Sequence, residues 1–304
     1  MTGKAVSVRG LVIAVLAGGA AAVRADVIVL RQGLDGYVGT RDTSMMSESG
    51  ALTAGGDDKF FVGRTQGRLG TLNRRALLEF DLDAIPPGAM ITRVSLTLRL
   101  IGFGTGVTTD TIELHALSRD WGEGTVPGPG GGAQGGAAMP GDATWSHSFL
   151  DRTTWDTPGG DFAETVSTSL SVGPASGLKT FPSTPELVAD IQGWVDDPAI
   201  HFGWILIGNE TTGGSIKLWV SKESSLTDVR PTLEIEFEPT PVAMRFDFDG
   251  DHDVDLADFL AFVACFSGPG VAHAPGCESG DADLDGDVDL SDAIAFQNAL
   301  TGSR

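Results

Sequence analysis

The chain is short of positive charge. Its 304 residues include 20 lysines and arginines against 41 aspartates and glutamates, and the formal net charge is −21. A protein of this sign repels the phosphates of DNA and RNA. The composition therefore argues against nucleic acid as a partner.

Cysteine and tyrosine are nearly absent. Cys265 and Cys277 are the two cysteines. In an exported protein we expect one disulfide between them, and a pair of buried free thiols is the alternative. Tyr37 is the single tyrosine. A lyase that relied on a tyrosine acid or base would have this one candidate, for which packing is the alternative role.

Long apolar runs are missing after residue 25. Before it, Lys4 and Arg9 precede an apolar stretch at 11–23, and a cleavage-site pattern follows at 23–25. This order predicts a secretory signal peptide over residues 1–25, whose apolar part is too short to span a bilayer. We therefore expect an exported protein, secreted or at the cell surface, with no transmembrane segment.

Aspartate, by contrast, is concentrated in two stretches, 247–258 and 281–292. Both place it at positions 1, 3, 5, 7, 9 and 12 of a loop. The residues are Asp247, Asp249, Asp251, Asp253, Asp255 and Asp258, then Asp281, Asp283, Asp285, Asp287, Asp289 and Asp292. Ca²⁺ takes about six to eight oxygen ligands, and a tight loop of this spacing turns alternate carboxylates inward. The pattern predicts two calcium ions, with a disordered acidic tail as the alternative.

Positions 6, 8 and 12 of the two loops also bear on the prediction of calcium binding. Gly286 occupies position 6, where the sharp turn favours positive φ, but His252 takes that place in the first loop. Val254 and Val288 occupy position 8, where an apolar side chain can pack one loop against the other. Position 12 carries aspartate, which is shorter than the glutamate usual in an EF-hand.

Each loop leads into one helical pattern, at 256–266 and 290–300, and Pro239 and Pro241 exclude a helix before the first loop. Paired loop–helix units of this kind, here over 245–302, resemble the dockerin type I domain. The resemblance implies calcium-dependent docking to a cohesin-like or other cell-surface protein. Positions 10 and 11 depart from the small hydroxyl residues typical of that family: they are Leu256 and Ala257, then Leu290 and Ser291.

Residues 26–238 have the pattern of an all-β domain. The clearest strand pattern runs over 91–100, where four apolar residues alternate on one face: Val94, Leu96, Leu98 and Leu100. One helix is predicted, with Thr184 as its cap, Pro185 at its first position and Asp197-Pro198 at its end. Many short antiparallel strands with one packed helix predict a jelly-roll β-sandwich. The glycine-rich stretch 122–141 is expected to be a flexible surface loop.

A series of motifs follows one another along this β region. They are Gln32-Gly33, Asp35-Gly36-Tyr37, Gly39-Thr40-Arg41-Asp42-Thr43, Phe61-Val62-Gly63-Arg64, and the stretches 75–81, 85–89, 120–124, 143–145 and 230–233. Together they resemble the DNRLRE family, which is related to disaggregatase repeats and to carbohydrate-binding module family 96. The resemblance implies a jelly roll of secreted polysaccharide-active proteins, which in some members binds anionic glycans such as alginate.

Five cations lie within seventeen residues of this acidic chain: Lys59, Arg64, Arg68, Arg74 and Arg75. Arginine forks match carboxylates, so the cluster is a candidate site for the uronic acids of a polysaccharide. The alternative is a solvated face that balances Asp57, Asp58, Glu79 and Asp81.

Aromatic and catalytic candidates are few. Of the six tryptophans, Trp121 and Trp155 are the better candidates for sugar stacking, with structural packing as their alternative. His115, His147 and His201 stand alone in the sequence, and no catalytic residue is predicted.

The expected organisation is a signal peptide at 1–25, a mostly β jelly roll at 26–238, a linker at 239–244 and a small α domain of two calcium loop–helix units at 245–304. The expected function is that of a secreted, non-catalytic protein that binds polysaccharide and docks through its calcium domain. A polysaccharide lyase or glycoside hydrolase component is one alternative. A surface or matrix protein assembled through calcium is the other.

Overall fold

The computed structural model describes residues 25–48, 50–66, 72–86, 88–106, 108–129, 133–238, 245–250 and 253–300. Residues 1–24 of the predicted signal peptide lie outside this part, as do the predicted linker at 239–244 and the candidate residues Arg68, Asp251 and His252. Within the described ranges, no helix has the length and apolar character needed to cross a membrane.

Antiparallel strands make up most of the regular structure. The strands are β1 (Asp26–Arg31), β2 (Thr40–Met46), β3 (Leu52–Thr53), β4 (Lys59–Arg64), β5 (Asn73–Phe80), β6 (Met90–Phe103), β7 (Asp110–Ala116), β8 (Gly136–Ala137), β9 (His147–Phe149), β10 (Thr153–Thr154), β11 (Thr168–Val172), β12 (Gly177–Phe181), β13 (Trp204–Ile207), β14 (Lys217–Val220) and β15 (Thr232–Glu238). The helices are α1 (Pro185–Asp196), α2 (Leu256–Cys265) and α3 (Leu290–Ala299).

The strands pair into two groups. The first has the order β1-β15-β6-β14-β4, and β12 pairs with the other edge of β6. In the second, β2 and β13 flank β5, while β7 and β11 continue beyond β13 and β3 and β8 beyond β2. Strand β4 belongs to both groups, because its first residues pair with β14 whereas Gly63 and Arg64 pair with β5. Two antiparallel layers joined in this way are consistent with a β-sandwich.

Both groups contribute to one apolar core. In β6 the four alternating residues Val94, Leu96, Leu98 and Leu100 are fully buried, as the sequence pattern predicts. They share a cluster with residues of the second group, which include Leu78, Leu114 and Trp204. The mostly β architecture is therefore confirmed.

Helix α1 closes part of this core. Thr184 caps it by accepting a hydrogen bond from the Leu187 N–H, and Pro185 occupies its first turn, as predicted. Leu187, Ile191 and Trp194 are buried in the core cluster. The stripe of apolar residues thus predicts both the helix and the face that it buries.

The glycine-rich stretch 122–141 differs from its predicted role as a flexible loop. Its described residues contact the second strand group: β8 pairs with β3, and the Glu123 carboxylate accepts a hydrogen bond from the Asp42 N–H of β2 at 2.8 Å. Glycine is needed for close backbone contact here, since a Cβ on Gly122 would lie 1.7 Å from the carbonyl oxygen of Gly141. High glycine content reflects tight packing in this segment rather than freedom.

The C-terminal segment has a separate apolar cluster. Its buried members are Phe246, Val254, Phe262, Val288, Phe296 and Ala299, and all of them lie between residues 245 and 300. The Cys265–Cys277 disulfide joins the end of α2 to the chain before the second loop. The predicted disulfide is confirmed.

Candidate metal centres in the C-terminal segment

The two aspartate loops have the same local geometry where each meets its helix. Asp255 caps α2 and Asp289 caps α3, and each accepts a hydrogen bond from the second residue of its helix. Asp258 and Asp292 complete capping boxes by accepting from the backbone N–H of the cap residue. The aspartates at positions 9 and 12 therefore fix the start of each helix relative to its loop.

Asp258 and Asp292 also hold the beginning of each loop. The Oδ1 atom of Asp258 accepts a hydrogen bond from the Phe248 N–H at 2.6 Å, and that of Asp292 accepts from the Ala282 N–H at 2.6 Å. Both carboxylates are fully buried. Position 12 thus closes each loop onto position 2, and two buried carboxylates face the loop interior.

The aspartates form four groups whose oxygens lie close enough to share a metal ion. Within each group, one oxygen per residue lies within 4.8 Å of the others. The groups are Asp247, Asp249 and Asp258; Asp253, Asp255 and Asp258; Asp281, Asp283 and Asp285; and Asp287, Asp289 and Asp292. The structure therefore brings together eleven of the twelve predicted metal ligands, and Asp251 lies outside the described residues.

Charge repulsion is evident in the second loop. The pKa of Asp283 is raised above its ordinary value, first by desolvation and then by the negative charges of Asp285, Asp292 and Asp281. A cation among these carboxylates removes the repulsion. The donor set contains only carboxylate and backbone oxygens, which suit a hard divalent cation.

Asp287 gives an independent sign of a missing partner. Its side chain is 5 % exposed, and its Oδ2 atom accepts a hydrogen bond from the Gly270 N–H. Its Oδ1 atom is buried and makes no hydrogen bond within the described chain. A buried carboxylate oxygen without a hydrogen bond is costly unless a cation satisfies it.

The loop backbone has two special positions. Gly286 at position 6 has φ +91°, as predicted for the sharp turn. Position 4 also has positive φ in both loops, with +77° at Gly250 and +61° at Leu284. Gly250 was a sequence signal for this conformation, whereas Leu284 gives none because leucine rarely adopts it.

The two loops share one core. Val254 and Val288, the residues at position 8, are fully buried in the same cluster, as predicted. Phe262 of α2 and Phe296 of α3 stack with their ring centroids 4.9 Å apart. Neither loop is therefore folded independently of the other.

The helices expose apolar side chains on the surface away from this core. The exposed fraction is 70 % at Leu256, 66 % at Leu260, 72 % at Leu290 and 64 % at Ile294. Between the helices runs an apolar groove of about 510 Å³. Its lining includes Leu256, Phe259, Phe262, Ala293, Phe296 and Leu300.

The predicted cation cluster is arranged differently from an open anion site. Arg74 is fully buried, and its guanidinium makes two hydrogen bonds to Glu48 at 2.6 and 2.7 Å. Arg75 forms the same forked pair with Glu210 at 2.7 and 2.9 Å. Glu48 and Glu210 therefore form the bidentate hydrogen bonds with Arg74 and Arg75 that were predicted for the carboxylates of a glycan.

The remaining described cations of that cluster are also engaged. Lys59 pairs with Asp57 and Asp58, as the alternative reading of the sequence predicts. Arg64 donates to the side chain of Asn73 and the backbone carbonyl of Glu210. The sequence does not reveal Glu48 and Glu210 as partners, because they lie far from the arginines along the chain.

The tryptophan candidates are core residues. Trp121 is fully buried and Trp155 is 3 % exposed, and both belong to a second apolar cluster, which also contains Met45 and Ile205. The Trp121 indole N–H donates to the carbonyl of Phe202 at 2.9 Å, and that of Trp155 to the carbonyl of Thr144 at 2.9 Å. Their alternative role, structural packing, is the one observed.

Possible acid–base residues gather beside α1. Burial raises the pKa of Tyr37, and its hydroxyl donates to the Asp81 carbonyl. Burial, followed by the charge of Arg41, lowers the pKa of His201 to about 4. Arg41 is itself paired with Glu79 and Asp120. A tyrosine with a raised pKa stays protonated near neutral pH, and the Arg41 guanidinium is already paired with two carboxylates.

The other two histidines make local contacts. The Nδ1 atom of His115 lies 3.0 Å from the Ala163 carbonyl oxygen. That of His147 lies 3.3 Å from the Thr144 hydroxyl. Each imidazole ring therefore contacts a nearby residue of the protein, as expected for a structural role.

No protein-family model matches this chain, and no curated protein matches it.

Proposed function

We propose that the C-terminal segment binds two calcium ions and acts as a docking module of an exported protein. The observation that carries the proposal is the repeated geometry of Asp258 and Asp292. Each closes its loop from a fully buried position and faces further carboxylates within metal-sharing distance. Two loops with the same ligand positions and one shared core support two ions bound as a pair.

Calcium suits these loops better than magnesium. Mg²⁺ requires near-ideal octahedral geometry and keeps several waters, whereas Ca²⁺ accepts many oxygens in irregular arrangements. Each loop offers six aspartates together with backbone carbonyls. We therefore propose that Asp247, Asp249, Asp251, Asp253, Asp255 and Asp258 serve one ion, and that Asp281, Asp283, Asp285, Asp287, Asp289 and Asp292 serve the other.

Calcium binding is tested by titration calorimetry on the full chain after removal of metal with a chelator. We expect two ions per chain and much weaker binding of magnesium. Circular dichroism in the same titration should show that helical signal increases with calcium, because ligand binding stabilises the folded loops. A chain that binds no calcium under these conditions would contradict the proposal.

Docking is the part of the proposal that the exposed apolar helix surfaces support. Leu256 and Leu290 are the first residues of the two helices, and each of these large apolar side chains is more than two-thirds exposed. The resemblance to dockerin type I domains points to a cohesin-like or other cell-surface partner. A docking role predicts that calcium-loaded chain, but not chelated chain, binds such a partner.

We further propose that residues 26–238 form a non-catalytic jelly roll that recognises polysaccharide. The observation that favours this is a groove of about 400 Å³ beside α1, lined by Leu82, Asp83, Ile85, Trp194, Val195, Pro198 and His201. Trp194 is only 4 % exposed and supports the His201 ring from below, with the ring centroids 4.6 Å apart. The surface open to a sugar is therefore that of His201, Val195 and Pro198 beside the exposed Asp83 carboxylate, which suits the C–H faces and hydroxyls of a sugar.

Affinity electrophoresis of the calcium-loaded protein tests this second proposal. Gels containing alginate, pectin, xylan or cellulose are compared, and reducing-sugar release is assayed alongside. Retardation without release supports a binding module and identifies the glycan class, including whether it is anionic. Release of sugar would make the protein a lyase or hydrolase. The absence of both signals would favour a surface or matrix protein assembled through calcium.

A further inference from the structure

A lysine, an aspartate and an asparagine meet where the two strand groups adjoin, in a part of the chain that neither proposal above uses. Lys217 is the first residue of β14 and Asp110 the first residue of β7. Asn209 follows β13 by two residues. Since β14 belongs to the first group and β7 and β13 to the second, the three side chains join both layers of the sandwich.

The carboxylate of Asp110 bridges the other two side chains. Its Oδ2 atom accepts a hydrogen bond from the Lys217 ammonium at 2.6 Å, and its Oδ1 atom accepts from the Asn209 amide at 2.8 Å. The side chains of Lys217 and Asp110 are 0 % and 2 % exposed. The Lys217 ammonium also donates to the carbonyl oxygens of Thr108 at 3.3 Å and Ser215 at 3.1 Å. An ammonium and an amide are thus held on the two oxygens of one buried carboxylate.

The amide carbonyl of Asn209 has its own set of donors. Its Oδ1 atom accepts hydrogen bonds from the Thr211 N–H at 3.0 Å, the Thr211 hydroxyl at 2.9 Å and the Thr212 N–H at 2.9 Å. These donors fix the orientation of the amide, so that its nitrogen faces Asp110. They also stabilise negative charge on the oxygen, as the donors of an oxyanion hole do.

We propose that Lys217 and Asn209 react to form an intramolecular isopeptide bond, with Asp110 as the proton carrier. Asp110 takes one proton from the Lys217 ammonium, and the resulting amine attacks the Asn209 Cγ atom. Asp110 delivers that proton to the Asn209 amide nitrogen, the bond from Cγ to this nitrogen breaks, and ammonia leaves. The lysine nitrogen still carries one extra proton, which passes through Asp110 to the ammonia and gives an ammonium ion. An ammonium and an amide become a substituted amide and one ammonium ion, with no oxidant, reductant or cofactor.

The chemistry needs what this site provides. A lysine is a nucleophile only after its proton is removed, and the Asp110 carboxylate, hydrogen-bonded to the buried Lys217 ammonium, is the base in contact with it. Because the Lys217 ammonium and the Asn209 amide N–H are hydrogen-bonded to the same carboxylate, the two reacting groups are held together and the reaction is intramolecular. The product ties β14 to the end of β13 and so links the two layers covalently.

Mass spectrometry of the intact, reduced protein is the test. We expect a mass lower by one ammonia than the mass calculated for the chain from its measured amino terminus. An endoproteinase that cleaves after glutamate cuts at Glu186, Glu210 and Glu223 and so separates Asn209 from Lys217. In the cross-linked protein the fragments 187–210 and 211–223 should remain joined and yield two amino-terminal sequences. Full mass and separate fragments would overturn the proposal.

Three variants sharpen the test. Asp110→Asn keeps the shape of the bridge but cannot carry the proton, so we expect full mass and separate fragments. Lys217→Met and Asn209→Ala remove the nucleophile and the acyl group, and each should give the same result. Loss of ammonia that persists in Lys217→Met would place the reaction elsewhere and contradict the assignment. Loss of one water, with Lys217 joined to Asp110, would contradict it as well.

Discussion

The Oδ1 atom of Asp292 accepts a hydrogen bond from the backbone N–H of Ala282 at 2.6 Å, ten residues earlier in the chain. This contact joins the first turn of α3 to the second residue of the loop. Asp292 therefore has two roles, since it closes the loop and also belongs to a group of carboxylates that could share a metal ion. These two roles give the first prediction.

Replacing Asp281 and Asp292 together by alanine should lower calcium stoichiometry from two ions to one. Both side chains contribute oxygens to the second loop, and the first loop keeps its own aspartates. Titration calorimetry measures the change. The matched control is Asp228→Ala, an exposed aspartate of the β region that should leave two ions bound. Unchanged stoichiometry in the double variant would remove these residues from the site.

The metal loops are the most predictable part of the molecule because calcium ligands follow a local spacing. The positions of the aspartates, of Gly286 and of the two valines could all be read from two stretches of twelve residues, 247–258 and 281–292. The positive φ of Leu284 could not, because it follows from closure of the loop and not from the preference of leucine.

The arginine ion pairs of the cation cluster, in contrast, could not be predicted from the sequence. Arg74 and Arg75 are adjacent in sequence, but their partners Glu48 and Glu210 lie 26 and 135 residues away. Charge counting along the chain cannot reveal such pairs, since folding decides which carboxylate reaches which guanidinium. The glycine-rich stretch 122–141 is a surface loop, as predicted, but its close contacts were not predicted for a related reason. Composition reports the freedom of an isolated chain and not the close contacts that glycine permits.

Arg74→Ala should destabilise the protein by about 3 kcal/mol. The change leaves Glu48 without its forked partner and removes the bond from Arg74 Nε to the Ala133 carbonyl. Breaking a buried pair is strongly unfavourable because one charge stays behind. Denaturant unfolding measures the effect in the presence of saturating calcium.

The control for Arg74 is Arg93→Ala. Arg93 pairs with Glu236 at 2.7 Å, but its side chain is 53 % exposed. Exposed pairs contribute little. We expect a much smaller change in unfolding free energy for Arg93, and equal losses in the two variants would show that burial does not set the strength of these pairs.

Gly122→Ala and Gly193→Ala should change stability in opposite directions. A Cβ at Gly122 meets the Gly141 carbonyl oxygen at 1.7 Å, so the packed loop must shift, at a cost of about 1–3 kcal/mol. A Cβ at Gly193, in α1, meets nothing within 4 Å. Alanine there should raise stability by about 0.5–1 kcal/mol. Urea unfolding followed by tryptophan fluorescence measures both. A neutral Gly122→Ala would contradict the close packing of this loop.

The depressed pKa of His201 should make stability fall as the pH is lowered. Burial and the charge of Arg41 lower its pKa to about 4 in the folded chain, from an ordinary value of 6.5. Between these values the unfolded chain binds a proton that the folded chain does not. The stability present above pH 6.5 is therefore lost progressively down to about pH 4, by roughly 3 kcal/mol in all.

His201→Phe isolates this contribution from the carboxylates, which titrate in the same range. Phenylalanine keeps an aromatic ring beside Trp194 but takes up no proton. The difference in unfolding free energy between the two proteins should be constant above pH 7. It should then change in favour of the variant as the pH falls, because only the unfolded wild-type chain gains the extra proton. Parallel pH profiles would mean that His201 titrates alike in both states, and that its position beside Arg41 has no electrostatic consequence.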